Sequence, residues 1–284
     1  MEKVGMVLEG GAMRGIYTMG VLDTLLKEEI GIDGIIGVSA GALFGANYFS
    51  KQYKRALTYT KKYYNDKRYI STKSLILTGN MVNKNFAYYK VTKELCPFDN
   101  ETFIKEKKDY YVTVTNVTTG KPEYLKINNV YEQLEEFRAT SAIPLVSRFV
   151  KINGKKYLDG GISDSIPIDK CRELGYQKII VVLTQPLGYK KKPVDKKKNK
   201  LINLRYFKYK NLRNTMENRY KNYNNTLEKI IDLENKKEIF VIRPSKRIKI
   251  NIVPKNEKEI DEVYNLGIND TQKLIKRLKE YLKK

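Results

Sequence analysis

Residues 34–46 read Gly-Ile-Ile-Gly-Val-Ser-Ala-Gly-Ala-Leu-Phe-Gly-Ala. The short apolar run Ile35–Val38 predicts a strand that enters Ser39 directly. Beyond it the small residues Ala40, Gly41, Ala42, Gly45 and Ala46 alternate with Leu43 and Phe44, which predicts a closely packed helix with no loop between. Gly37-Val38-Ser39-Ala40-Gly41 thereby fits the G-x-S-x-G elbow, a sharp strand-to-helix turn that holds a serine nucleophile in strained backbone geometry. Glycine is needed two residues to either side, because a larger side chain there would strike the crossing backbone. The N-terminus of the following helix points partial positive charge at the serine and at any oxyanion beside it.

Upstream, Val4–Leu8 predicts a strand ending in Gly10-Gly11, and from Gly15 apolar residues recur at Ile16, Met19, Leu22, Leu25 and Leu26, a helical spacing. The loop Glu9-Gly10-Gly11-Ala12-Met13-Arg14-Gly15 opens that helix, so its backbone N–H groups can cradle an anion. It is a poor dinucleotide fingerprint, with Ala12 where G-x-G-x-x-G requires glycine, and no Walker loop, lacking Gly-Lys-Ser/Thr. Next to Ser39 at the end of the adjacent strand, Gly10, Gly11 and Ala12 read better as an oxyanion hole.

A serine needs a base. The chain has no His, which excludes Ser-His-Asp and Cys-His arrangements and every metal site built on histidine. No serine has a lysine three positions later, which excludes Ser-x-x-Lys as well. A carboxylate remains. The best placed is Asp159 in Asp159-Gly160-Gly161, where glycines let the backbone approach another loop. Asp164 is a rival, or a support for the same loop.

Elsewhere, Lys51–Asp109, rich in Lys and Tyr, reads as helices and loops forming a cover. Tyr110–Val117 and Glu123–Ile127 predict strands, Tyr131–Thr140 a helix stopping before Pro144, and Phe149–Ile152 with Lys156–Leu158 a hairpin around Asn153-Gly154. Ile179–Leu183 and Glu238–Ile242 predict later strands, with a helix around Leu227, Ile230 and Ile231 between them. From Glu257, the positions Ile260, Val263, Leu274, Leu278 and Leu282 predict a C-terminal helix. Lys190–Lys200, a charge run interrupted by Pro193, reads as a mobile loop.

The 284 residues suffice for a sizeable core. The longest unbroken apolar run, Ile179–Leu183, is far short of the roughly twenty residues a spanning helix needs. The first residues form no secretory h-region. Cys96 and Cys171 are too few for a disulfide framework and read as structural thiols in a reduced, cytoplasmic compartment. The formal charge is +23, and between Lys190 and Asn225 thirteen Lys or Arg stand against Asp195 and Glu217. That segment reads as a solvated basic face, or as one turned to an anionic membrane or to nucleic acid, with Tyr206, Phe207 and Tyr209 interleaved among the cations.

Taken in order, the Gly10–Gly15 loop, the Gly37–Gly41 elbow and Asp159-Gly160-Gly161 resemble the patatin-like phospholipases, in the bacterial branch that opens Leu-Glu-Gly-Gly-x-Met-Arg-Gly. Gly20-Val21-Leu22-Asp23, Ser141-Ala142-Ile143-Pro144 and Asp164-Ser165-Ile166-Pro167 match too, so the resemblance covers about residues 4–185. It implies the α/β class, a three-layer α/β/α sandwich around a mostly parallel central sheet. Residues 1–185 are expected to form the catalytic core, and 186–284, the basic segment with a C-terminal strand and helices, to complete the same domain. It implies Ser39 as nucleophile, Asp159 as proton acceptor and Gly10, Gly11 and Ala12 as the oxyanion hole, with Arg14, Gly15, Gly37, Gly41, Gly160 and Gly161 as supporting motif residues. Neither metal nor cofactor is implied. The substrate would be a lipid ester, met by peripheral contact with an anionic membrane at its inner face; nucleic acid is disfavoured as a partner. Ala12 departs from the family's usual glycine, at a cost of about 1 kcal/mol where that position requires positive φ. The reading from another class is a catalytically silent basic protein on this scaffold, docking to anionic membrane or nucleic acid.

Overall fold

A computed structural model describes residues 2–283. Its strands are β1 (Val4–Leu8), β2 (Gly34–Val38), β3 (Asp109–Asn116), β4 (Pro122–Lys126), β5 (Val150–Ile152), β6 (Lys155–Asp159), β7 (Lys178–Val182) and β8 (Phe240–Ile242). Its helices are α1 (Gly15–Lys27), α2 (Ala40–Phe49), α3 (Arg55–Tyr63), α4 (Thr72–Thr78), α5 (Asn100–Lys105), α6 (Leu134–Thr140), α7 (Ile168–Glu173), α8 (Lys196–Arg205), α9 (Lys210–Asn235) and α10 (Glu257–Lys283), with a π-helical stretch at Lys84–Leu95.

All strands join one mixed, mostly parallel sheet in the order β5-β6-β3-β2-β1-β7-β8, with β4 also on β3. The run β3-β2-β1-β7-β8 is parallel throughout. Alternation along its strands supplies two cores. Met6, Leu8, Ile35, Ile180, Val182 and Ile242 turn to the side covered by α1, α2 and α10. Val7, Ile36, Val181 and Val241 turn to the side covered by α7 and α9. With helices on both faces both sides of β1, β7 and β8 are apolar, which is why Ile179–Leu183 reads as an unbroken run. The three-layer α/β/α architecture is the expected one. On the first face α1 and α10 cross so closely that a Cβ on Gly20 would lie 2.2 Å from the Tyr264 carbonyl, and one on Gly267 2.2 Å from that of Tyr17.

The register of β3 positions the site. β2 pairs with Asp109–Thr113 and β6 with Val114–Asn116, while β4 pairs with Tyr111–Thr115 and so overlaps both. A strand has two edges. β4 therefore occupies one, and β2 and β6 share the other end to end, running toward each other. β2 finishes at Val38 opposite Thr113, and β6 finishes at Asp159 opposite Val114. The residues that leave these two strands must meet.

Several expectations need adjustment. Lys190–Lys200 is not a loop throughout: α8 begins at Lys196, where the Lys198 N–H donates to Asp195 Oδ1 at 2.9 Å, and Pro193 falls ahead of this cap, where its missing N–H breaks nothing. The helix around Leu227 is the last third of α9, which starts at Lys210, so most of the basic segment is helical. α6 starts at Leu134 rather than Tyr131, because Gln133 Oε1 accepts from the N–H groups of Asn128 and Asn129 and holds that stretch in a turn. The hairpin is present, but β6 runs on to Asp159. The Lys51–Asp109 cover is α3, α4, the π-helical stretch and α5.

Candidate active site

Ser39 stands between β2 and α2 at φ 51 and ψ −123, the strained positive-φ geometry the elbow demands. A Cβ on Gly37 would lie 2.5 Å from Ala42 Cα, and one on Gly41 2.6 Å from the Leu8 carbonyl, so the motif's glycines are steric necessities. The Ser39 N–H donates to Thr140 Oγ1 at 2.9 Å, and that hydroxyl donates to the Thr113 carbonyl at 2.6 Å. Thr140, which no motif flagged, thus pins the elbow to β3.

Asp159 arrives from the opposite direction. Its N–H donates to the Ala142 carbonyl at 3.0 Å, its carbonyl accepts from Thr115 Oγ1 at 2.8 Å, and its Oδ1 accepts from the Gly161 N–H at 2.7 Å. Gly160 is forced by proximity, since a Cβ there would sit 2.2 Å from the Thr113 carbonyl. Burial raises the Asp159 carboxyl above its ordinary range, while the neighbouring Ser39 hydroxyl, the hydrogen bond from the Gly161 N–H and the charge of Arg219 pull it back. A buried carboxylate of raised basicity beside a serine hydroxyl can take that proton. Asp164 is engaged elsewhere: Oδ2 accepts from Tyr124 OH at 2.7 Å and Oδ1 from the Ile166 N–H at 3.2 Å, so it supports the loop.

The Gly10–Gly15 loop passes Ser39 on the other side. Gly10 lies against the Val38 carbonyl and Ser39 Cβ, Gly11 against Thr184, and Gly15 against Ala40 and Phe44. The N–H groups of Gly10, Gly11 and Ala12 donate to no protein acceptor among the described residues, as oxyanion donors require. Ala12 has φ 47, so the strained case holds at the one position that departs from glycine. Replacing it should relieve strain: Ala12→Gly is expected to raise stability by about 0.5–1 kcal/mol in thermal melts, with esterase rate equal or higher.

Two residues unnoticed in the sequence come from α9. Glu9, 1% exposed at the base of the loop, receives Tyr223 OH on Oε1 and the Thr184 N–H on Oε2, both at 2.6 Å. Arg219 reaches the Gly161 end of the Asp159 turn. Lys191 also turns inward, its Nζ 4.3 Å from the Tyr223 ring, and burial lowers its amine to about 8. Arg14 lies half-buried beside the loop, its Nε without a partner. The thiol of Cys171 is buried and pushed up to about 12, that of an inert structural cysteine.

In front of Ser39 opens a cavity of about 200 Å³ lined almost wholly by apolar and aromatic side chains, among them Met13, Leu43, Phe44, Tyr63, Val91 and Phe137. The cover elements wall it, and Ile143 and Ile252 stand in its lining. Arg55, also in the lining, donates to Asn47 Oδ1 and to the carbonyls of Cys96 and Pro97. The arrangement is a serine, a buried carboxylate, free N–H donors and a greasy slot.

The chain is similar to known proteins along much of its length. A family model described as patatin-like phospholipase matches residues 6–172, and one described as a domain of unknown function (DUF6363) matches residues 209–283. The chain is 29% identical over 189 residues to the uncharacterized protein YjjU of Escherichia coli (strain K12), covering 65% of this chain and 52% of that protein. It is 27% identical over 184 residues to lysophospholipase NTE1 of Saccharomyces cerevisiae, covering 64% of this chain and 11% of that protein. It therefore spans about half the length of the first and a small part of the second. Among solved structures, VipD from Legionella pneumophila covers 97% of this chain and 67% of its own at 12% identity, with a TM-score of 0.45. With more than half of its residues inside the first model, the chain belongs to the patatin-like phospholipase family.

Proposed function

We propose that this protein is a serine acyl hydrolase acting on lipid esters through a Ser39–Asp159 dyad. The observation that carries the reading is the end-to-end meeting of β2 and β6 on one edge of β3, which brings Ser39 and Asp159 together beneath an apolar slot. Asp159 accepts the proton as Ser39 Oγ attacks the ester carbonyl, and the N–H groups of Gly10, Gly11 and Ala12 take the oxyanion. Collapse of the tetrahedral intermediate expels the alcohol, which carries away the proton from Asp159. Water then attacks the acyl-serine, giving its proton to Asp159; the fatty acid leaves and Ser39 recovers its hydrogen. Residues 186–283 are read as part of the same unit, since β8 adds a strand beside β7 and α9 brings Tyr223 to Glu9 and Arg219 to the Asp159 turn. A fluorophosphonate probe tests this: labelling at Ser39 is expected, and folded wild type that stays unlabelled would leave the silent basic binder as the better account.

Peripheral contact with an anionic membrane belongs to the same proposal. Among the described residues no helix is long and apolar enough to cross a bilayer. Yet α8 and its flank expose Leu201, Leu204 and Phe207 among Lys196, Lys197, Lys200, Arg205 and Lys208, the mixture that suits a lipid headgroup layer. Each cation near such a surface contributes about 1 kcal/mol, screened over about 8 Å at physiological salt. Hydrolysis on anionic vesicles should therefore fall steeply as ionic strength rises while hydrolysis of a soluble ester stays flat. Replacing Lys196, Lys197, Lys198 and Lys200 by Gln should reproduce the high-salt behaviour; Lys191 is left out because it faces inward. Unaltered vesicle binding in that variant at low salt would make α8 an ordinary solvated helix.

A further inference from the structure

Beside the apolar slot lies a second compartment of opposite character, an open basin of about 650 Å³. Arg14, Arg247, Lys249 and Lys255 line it, with Asn251 and a single acid, Glu259. That acid is engaged: its Oε2 accepts from the Lys255 N–H at 3.0 Å. None of the four cations makes an ion pair among the described residues, although lysines and arginines elsewhere do so repeatedly.

The two compartments are lined by consecutive residues. On one side Ala12 and Met13 line the slot and the next residue, Arg14, lines the basin. On the other, Ile252 lines the slot and its neighbour Asn251 the basin. An oil-lined slot and a cationic basin thus meet at the loop beside Ser39. A molecule spanning both has an alkyl end and an anionic end, with its bond to be cut near the junction. Guanidinium and ammonium groups recognise phosphate strongly, the former through paired hydrogen bonds and the latter as a point charge.

We propose that the basin seats the anionic, phosphate-bearing head group of the lipid whose acyl chain fills the slot, so that the preferred substrate is an anionic phospholipid or lysophospholipid. This rests on reading Ser39 as the nucleophile. The selecting charges, Arg247, Lys249 and Lys255, lie outside the segment matched by the patatin-like model.

The test compares lysophosphatidylglycerol with lysophosphatidylcholine of the same chain, both as monomers, and with p-nitrophenyl butyrate. Wild type is expected to have the higher kcat/KM for the anionic lysolipid. The triple variant Arg247→Gln/Lys249→Gln/Lys255→Gln should lose about tenfold on it relative to p-nitrophenyl butyrate, through KM. A control lacking three exposed charges elsewhere, Lys67→Gln/Lys90→Gln/Lys237→Gln, should not. An unchanged ratio in the triple variant, or an equal change in the control, overturns the proposal. If wild type cleaves no ester, the nucleophile reading fails, and the basin is judged by binding alone. Lysophosphatidylglycerol binding that the triple variant loses would sustain it, and absence of such binding would sink it. Glycerol 3-phosphate binding as tightly as the lysolipid would assign the basin to free phosphate compounds and overturn the lipid assignment.

Discussion

Purified Ser39→Ala is expected to be folded, unlabelled by fluorophosphonate and without measurable hydrolysis of a short p-nitrophenyl ester. Its melting temperature should stay near that of wild type. The stability expectation follows from the backbone: alanine inherits the same strained φ of 51, so the elbow neither gains nor loses torsional energy. The N–H to Thr140 bond is untouched by the change. Loss of the hydroxyl deprives Asp159 of one of the groups that hold its carboxyl down, so that carboxyl should titrate still higher in the variant. Activity should drop by roughly three orders of magnitude or more, because free N–H donors and a slot remain but nothing is left to be acylated. Turnover equal to wild type in a verified Ser39→Ala preparation would remove the dyad from consideration.

Asp159→Asn should separate catalysis from stability. A general base contributes about 10²–10⁴-fold, and the amide cannot accept the serine proton, so esterase activity should fall by that range. The fold should respond in the opposite sense. The Asp159 carboxyl is raised in the folded chain, chiefly by burial, so its protonated form is the one the fold favours. The stability attached to that protonated form is fully present below the ordinary carboxylate pKa and is lost as pH rises through the raised folded value. The substituted amide carries no charge to bury, and its oxygen can still accept from the Gly161 N–H. The variant should therefore melt higher than wild type at neutral and alkaline pH, and the two curves should converge in acid. A variant less stable than wild type at pH 8 would mean that the fold welcomes the charge on Asp159, and that burial is not the dominant influence on its carboxyl.

Much of this site is legible in the chain because its signals are local. The elbow is written within five residues, and the glycines at 37 and 41 have visible steric reasons once Ala42 and Leu8 are in position. The strand entering Ser39 and the hairpin leading to Asp159 follow from apolar runs and an Asn-Gly turn. What escapes the reading is long-range. Tyr223 holds Glu9 across 214 positions, and no periodicity in α9 distinguishes that tyrosine from its neighbours. The same blindness made Lys190–Lys200 a loop: charge density predicts solvation, but a single aspartate cap was enough to start a helix. Thr140 stands at the end of a correctly expected helix, yet its bond to Ser39 depends on where β3 brings Thr113. A composition of 55 basic residues also hid which cations face inward.

The bond from Tyr223 to Glu9 has a consequence in time. A ribosome delivers the serine elbow early, but the tyrosine that holds the neighbouring loop leaves the exit tunnel only after nearly the whole sheet has been made. β1 likewise waits for β7 on its second edge. Stalled nascent chains carrying only the first 200 residues should therefore stay inert toward a fluorophosphonate, whereas released full-length chains should react. On the function proposed above, this order keeps cellular membranes out of reach until α9 has been made.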